Sequence, residues 1–338
     1  MPAAFDPHRH LAAKARWHPA ELVFWAATLL PFVLTPSYLV LASQIAITGI
    51  FAVSLDLILG YAGLISLGHA AFFGTGAYAA GLIAKAGWGE PFSGLMLAAA
   101  AAGLLGWVAG FIVVRVRHLA LIMITLGIGL LVYETANREA WLTGGNDGLQ
   151  GVEVWPLFGR FDFDLFGYTA YAYALAVLFL VTLGARRLIH SPFGLSLRAI
   201  RENERRMPAL GAPSAARLRT VYTIAAVLAG IAGGLLAQTT QFVDLSTLGF
   251  QRSADLLVML ALGGTGRLYG GIVGAIVFMI ARDQLADMNP QYWYFWIGLL
   301  LVGVVLCLPN GILGGLARLL PLERSQVASL ATDERGET

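Results

Sequence analysis

Arg198, Arg201 and Arg205 recur at i, i+3 and i+7 beside Glu202 in the run LRAIRENERRMPALG. Helical spacing puts them on one polar, interactive face. Guanidinium groups donate forked, charge-assisted hydrogen bonds to carboxylates and other oxygen acceptors, which is chemistry for docking rather than for bond breaking. Asn203 follows Glu202 in the run, and Gly211 with Pro213 would end the segment. A solvated basic loop explains the same arginines without any partner. Pro208 cannot sit cheaply inside a helix, so it is expected to begin a second short one. Asp56, in SLDLILG, is an ionisable group in an apolar run, costly at membrane depth and functional by default. A place near a span end, or a hydrogen-bonded place inside a bundle, explains it equally well. His69, in SLGHAAF, has no second histidine or cysteine beside it, so packing or capping is the better reading and a metal is rejected. Asp56, Ser66 and His69 make no recognisable catalytic arrangement.

The elements that carry these residues are apolar. Of 338 residues, 58% are hydrophobic and 12% charged, against about a quarter charged in soluble domains. Mean hydropathy is +0.72. Repeated apolar runs near the length of a bilayer crossing make this an all-α, polytopic integral membrane protein. Cys307, the single cysteine, excludes an intrachain disulfide and a cysteine metal cluster. Lys14 and Lys85 are the only lysines, so no Gly-Lys-Ser/Thr phosphate loop exists here.

About ten transmembrane or re-entrant segments are expected, at 22–41, 43–59, 68–84, 92–114, 118–136, 168–188, 220–240, 253–265, 270–287 and 293–309. The first is read as a retained span rather than a cleaved signal. The run 253–265 is too short for a hydrocarbon core of about 30 Å and reads as broken or re-entrant. With the N-terminus inside, 17 of the 22 Lys and Arg residues fall on inner segments, eight of them in a central loop, 186–219. That bias supports N- and C-termini in the cytoplasm. The domain layout is then a cytoplasmic segment 1–21, a membrane domain 22–315 with its largest outer loop at 137–167, and a polar cytoplasmic tail 316–338.

Two glycine-rich breaks stand out, GYAGLISLGHAAFFGTGAYAAG at 60–81 and GGTGRLYGGIVG at 263–274. Close helix packing explains any one glycine. Two breaks on the same inner side suit discontinuous helices around a permeation path.

The stretch 60–81 resembles the signature of LivM-type permeases of branched-chain amino acid ABC importers. LTGGNDGL at 142–149, residues 197–235, LALGGTGRLYGGIVGA at 260–275 and LPNGILGG at 308–315 resemble that family's other motifs in the same order. The resemblance spans about 43 to 315. It implies a bacterial inner-membrane permease subunit for branched-chain or other hydrophobic amino acids. Its implied partners are a second, LivH-like permease, two cytoplasmic ABC ATPases and a periplasmic substrate-binding protein. The chain itself would hold no cofactor, ATP and Mg being bound by the ATPases. Lipid surrounds it, and no nucleic acid is expected. The resemblance makes Arg198, Arg201, Glu202, Asn203, Arg205 and Gly211 the ATPase-coupling loop. Asp56, Ser66, His69, Phe72, Tyr78, Gly263, Gly264 and Gly266 are candidates for the translocation path. The family usually carries an amide where Asp56 stands.

Relatives of this permease type carry urea, short amides or aromatic acids, and the residues do not separate these substrates. A self-sufficient carrier or channel would need acids at depth, and Asp56 is the residue that could serve it. An intramembrane enzyme would need a second catalytic group beside Asp56, and the sequence offers none.

Overall fold

Apolar runs placed in lipid must satisfy their own backbone groups, and helices do so residue by residue. The computed structural model describes residues 19–164, 166–204, 206–208, 211–288, 290–307 and 311–319. Arg205, the N-terminal residues 1–18 with Arg9, Lys14 and Arg16, and the tail after residue 319 lie outside them. The described residues are mostly helical and contain no strand. In chain order the helices are α1 Pro19–Ala27, α2 Pro31–Leu34, α3 Leu39–Asp56, α4 Ala70–Lys85, α5 Pro91–Val113, α6 Leu119–Arg138, α7 Ala140–Thr143, α8 Tyr168–Ile189, α9 Pro192–Asn203, α10 Ser214–Thr240, α11 Phe250–Gly263, α12 Gly270–Met288, α13 Trp293–Cys307 and α14 Gly311–Leu319.

A helix stands at each expected span. Among the described residues five are long and apolar enough to cross a membrane: Pro36–Tyr61, Pro91–Val113, Leu119–Arg138, Tyr168–Ile189 and Ser214–Thr240. The first boundary differs from expectation. The second span begins at Pro36, not after residue 41, and the first apolar helical stretch, Pro19–Leu34, is short. Pro31 and Pro36 each start a new element, and Thr35 between them leaves the helical region at φ −138. A residue before proline is pushed out of the α region, so the chain turns there. The central loop also shrinks. Arg186 and Arg187 form the last turn of α8, and Ser214–Arg219 belong to α10. Cations at a helix C-terminus complement its dipole, and Arg186 is further held by an ion pair with Glu21 of α1.

The long α10 runs through the centre, packed between α4 and α5. Small residues make this possible: a methyl group at Gly233 would overlap the Phe73 carbonyl, and one at Gly76 would overlap the Gly230 backbone. Gln238 of α10 donates to the Pro91 carbonyl at 2.7 Å, tying the helix to the start of α5. The basic connections gather at one end of the bundle, where Arg117 pairs with Glu204 at 2.7 Å and Arg267 donates to the Leu313 carbonyl at 2.6 Å. At the opposite end the loop after α7 is pinned by Leu149, whose N–H donates to Val243 at 2.6 Å, and by Trp155, whose N–H donates to Gly89 at 2.8 Å.

Candidate functional site

Three segments distant in sequence meet at the basic end. The first is the end of α3. Its α-helix closes at Asp56 and continues as a π-turn over Leu57–Tyr61, a wider helical geometry that recurs at functional sites. The chain then runs irregularly until α4 starts at Ala70. The second is the turn between α11 and α12, where Gly264 and Gly266 adopt φ of +108 and +76. That backbone is open to glycine and strained for other residues. The third is α9. Ser191 caps it by accepting from the Gly194 N–H at 3.3 Å. Leu197 and Ile200 are buried against the bundle.

The contacts among these segments are specific. Asp56 is buried, and its Oδ1 accepts from the Gly266 N–H at 2.7 Å. Gly60 sits between them: a methyl there would overlap the Asp56 carboxylate and the Gly266 backbone. Arg201 of α9 donates from Nη1 to the Gly60 carbonyl. Arg198 lies over the Tyr61 ring, 5.2 Å from its centroid. Gly60, Tyr61, Arg198, Arg201, Glu202 and Gly266 line a polar recess of about 530 Å³. A second cleft of about 470 Å³ continues beside it, between residues 62–65, the connection carrying Arg117, and the end of α9.

The coupling-loop residues therefore divide. Arg198, half-buried, and Arg201, itself largely exposed, reach back to Tyr61 and Gly60 of the first break. Glu202 and Asn203 are exposed, and Asn203 Oδ1 accepts from the Arg206 N–H at 3.3 Å. Gly211 takes φ +76 in open space. Residues 206–207 form a turn in which the Gly211 and Ala212 N–H groups bond Pro208 and Met207 at 3.0 Å.

The path candidates divide as well. Asp56 and Gly266 belong to the junction. Gly263 packs on the Gly270 backbone, and Gly264 lies against Gly311. His69 is fully buried, bonded through Nε2 to Ser54 Oγ at 2.9 Å and stacked on Phe51 at 5.5 Å. Phe72 meets the Tyr222 ring edge to face at 5.5 Å. Ser66, Phe72 and Tyr78 are buried within the packed core rather than along the recess. No group of three His, Cys, Asp or Glu residues gathers around a common point among the described residues. Gly60, Tyr61 and the Arg117–Glu204 pair are parts of the site that were not among the expected site residues. The one sequence signal for them was that Gly60 opens the first glycine-rich stretch.

A many-helix membrane bundle whose broken spans are tied to a basic intervening helix is a membrane permease domain. This chain belongs to the family described as the permease component of branched-chain amino acid transport systems, which matches residues 37–305. It is 30% identical over 334 residues to the high-affinity branched-chain amino acid transport system permease protein LivM of Salmonella typhimurium, covering 91% of this chain and 75% of the relative. The LivM of Escherichia coli is 30% identical over 333 residues with the same coverage. The autoinducer 2 import system permease protein LsrC of an Enterobacter species is 29% identical over 244 residues, 69% of this chain and 67% of that one. No solved structure matches the chain.

Proposed function

We propose that this permease carries branched-chain amino acids inward across a bacterial inner membrane, with Arg198 and Arg201 transmitting the state of partner ATPases to the two broken spans. In this reading the functional unit contains a second, LivH-like permease, two cytoplasmic ATPases and a periplasmic binding protein. The basic end faces the cytoplasm, and so do both termini. The observation that carries the coupling role is the bond from Arg201 to the Gly60 carbonyl, beside the Asp56–Gly266 bond. A displacement of α9 would be felt by both breaks at once, because one guanidinium and one carboxylate join all three. Glu202 and Asn203, on the exposed side of α9, are available to a partner.

The test is to replace Arg198 and Arg201 together with Glu in the full complex, reconstituted in vesicles with ATP and loaded binding protein. The protein should reach the membrane and copurify with its partners, and leucine uptake should fall below about a tenth of the unmodified rate. ATP hydrolysis should persist but lose its dependence on the binding protein. Normal uptake by the double variant would sink the coupling role. Copurification of the chain by itself, in detergent that preserves comparable complexes, would favour a self-sufficient carrier.

A further inference from the structure

Away from the junction, a groove of about 250 Å³ opens on the flank of the bundle. Its walls are Leu67 from the first break, Leu126, Leu130 and Tyr133 from α6, and Leu248 and Phe250 at the start of α11. Glycines form its base. Gly68 packs so closely on α6 that a methyl there would overlap the Thr125 carbonyl, and one at Gly129 would lie 3.2 Å from the Gly68 Cα. Leu67 N–H donates to Thr125 Oγ1 at 3.2 Å, and Ala70 N–H donates to Ser253 Oγ at 2.9 Å. The first break and the start of α11 are therefore fixed to each other and to α6. Gly129 stands near the middle of Leu119–Arg138, about 15 Å of helix from either end.

We infer that this groove receives the aliphatic side chain of the transported amino acid, an inference that rests on the substrate proposed above. Four leucines and a phenylalanine suit a branched hydrocarbon, and the Tyr133 hydroxyl and the Ser253 side chain suit the polar end of the solute. Helices α4 and α11, each following a stretch that is not α-helical, begin beside this groove, and substrate sites of carriers lie at such interruptions near the midplane. The recess at the basic end is lined by arginines and cannot offer an apolar surface of this kind. Leu130 and Phe250 are half exposed, so one side of the groove stays open.

Leu126, half buried in the wall, tests this. Leu126→Trp fills the groove and Leu126→Ala widens it. Uptake of leucine and valine is measured in the same reconstituted complex with the same binding protein. The Trp variant should shift the leucine-to-valine ratio toward valine by about tenfold, the discrimination an apolar pocket makes for one methylene, and the Ala variant should shift it the other way. A variant that merely folds badly lowers both rates and leaves the ratio alone. Unchanged ratios in both variants, with an active complex, overturn the groove assignment only. An unmodified complex that carries neither leucine nor valine overturns the substrate reading and this inference with it. A second measurement places Leu126→Cys in a Cys307→Ala background. A water-soluble thiol reagent should label it, and leucine-loaded binding protein with ATP should slow the labelling. Failure to label would mean a lipid acyl chain fills the groove, and would overturn the inference.

Discussion

Asp56 and Gly60 act as one unit. The carboxylate ends the Gly266 N–H at 2.7 Å, and Gly60 has no side chain because the carboxylate occupies that space. Asp56→Asn keeps an acceptor and should fold and assemble. Asp56→Leu deprives the half-buried Gly266 N–H of its acceptor, a loss at the lower end of about 1–3 kcal/mol. Gly60→Ala forces the break apart. Thermal unfolding of the purified complex, followed by fluorescence, should rank wild type and Asn together, with Leu and Ala below. Leu as stable as wild type would remove Asp56 from the junction. The apolar setting of SLDLILG marked Asp56 as unusual, and a hydrogen-bonded place inside a bundle was one reading of it, beside a functional role and a place near a span end. Its partner could not be read, because a side chain that bonds a backbone N–H leaves no mark at the partner's position beyond a glycine among many. His69 shows the opposite outcome. Lone and apolar in its surroundings, it fits the packing role that its isolation suggested, and Ser54 supplies its hydrogen bond.

Helices were readable where their length was set by the bilayer. The runs near 92–114, 118–136 and 168–188 became Pro91–Val113, Leu119–Arg138 and Tyr168–Ile189. Boundaries moved where local chemistry overrode hydropathy, at Pro31 and Pro36 and at the start of α10, which takes in Ser214–Arg219. The cap of α5 shows how an end is fixed. Glu90 accepts from the N–H groups of Ser93 at 2.6 Å and Phe92 at 3.2 Å, and Pro91 follows it. Hydrogen bonds from Ser93 and Phe92 hold its carboxyl below the usual carboxylate range. A depressed folded value means the unfolded chain takes up the proton first as pH falls. The stabilisation is therefore complete above the ordinary carboxylate value and is lost as pH drops through the folded one. Comparing wild type with Glu90→Gln, the difference in midpoint temperature should be largest near neutrality and shrink below about pH 4. A difference that grows on acidification would contradict this cap.

At the scale of the molecule, the sorting of charge was readable and the meeting of segments was not. Arg117, Glu204, Arg201 and Arg267 lie at one end because each basic connection returns to the same side. Single cysteines at Arg206 and Arg160, in a Cys307→Ala background, check the proposed orientation. An impermeant thiol reagent should reach position 160 from outside intact spheroplasts and position 206 only after lysis. The reverse pattern would invert the topology. The order of synthesis adds a consequence. Asp56 and the residue it bonds are 210 positions apart. At about 5–20 residues per second, a ribosome reaches Gly266 roughly ten to forty seconds after Asp56. Through that interval a carboxylate and an opened helix end sit in the nascent protein without their closing partner. The last third of the chain is thus the clasp for the first, and a prematurely terminated product would present that unfinished end to membrane proteases.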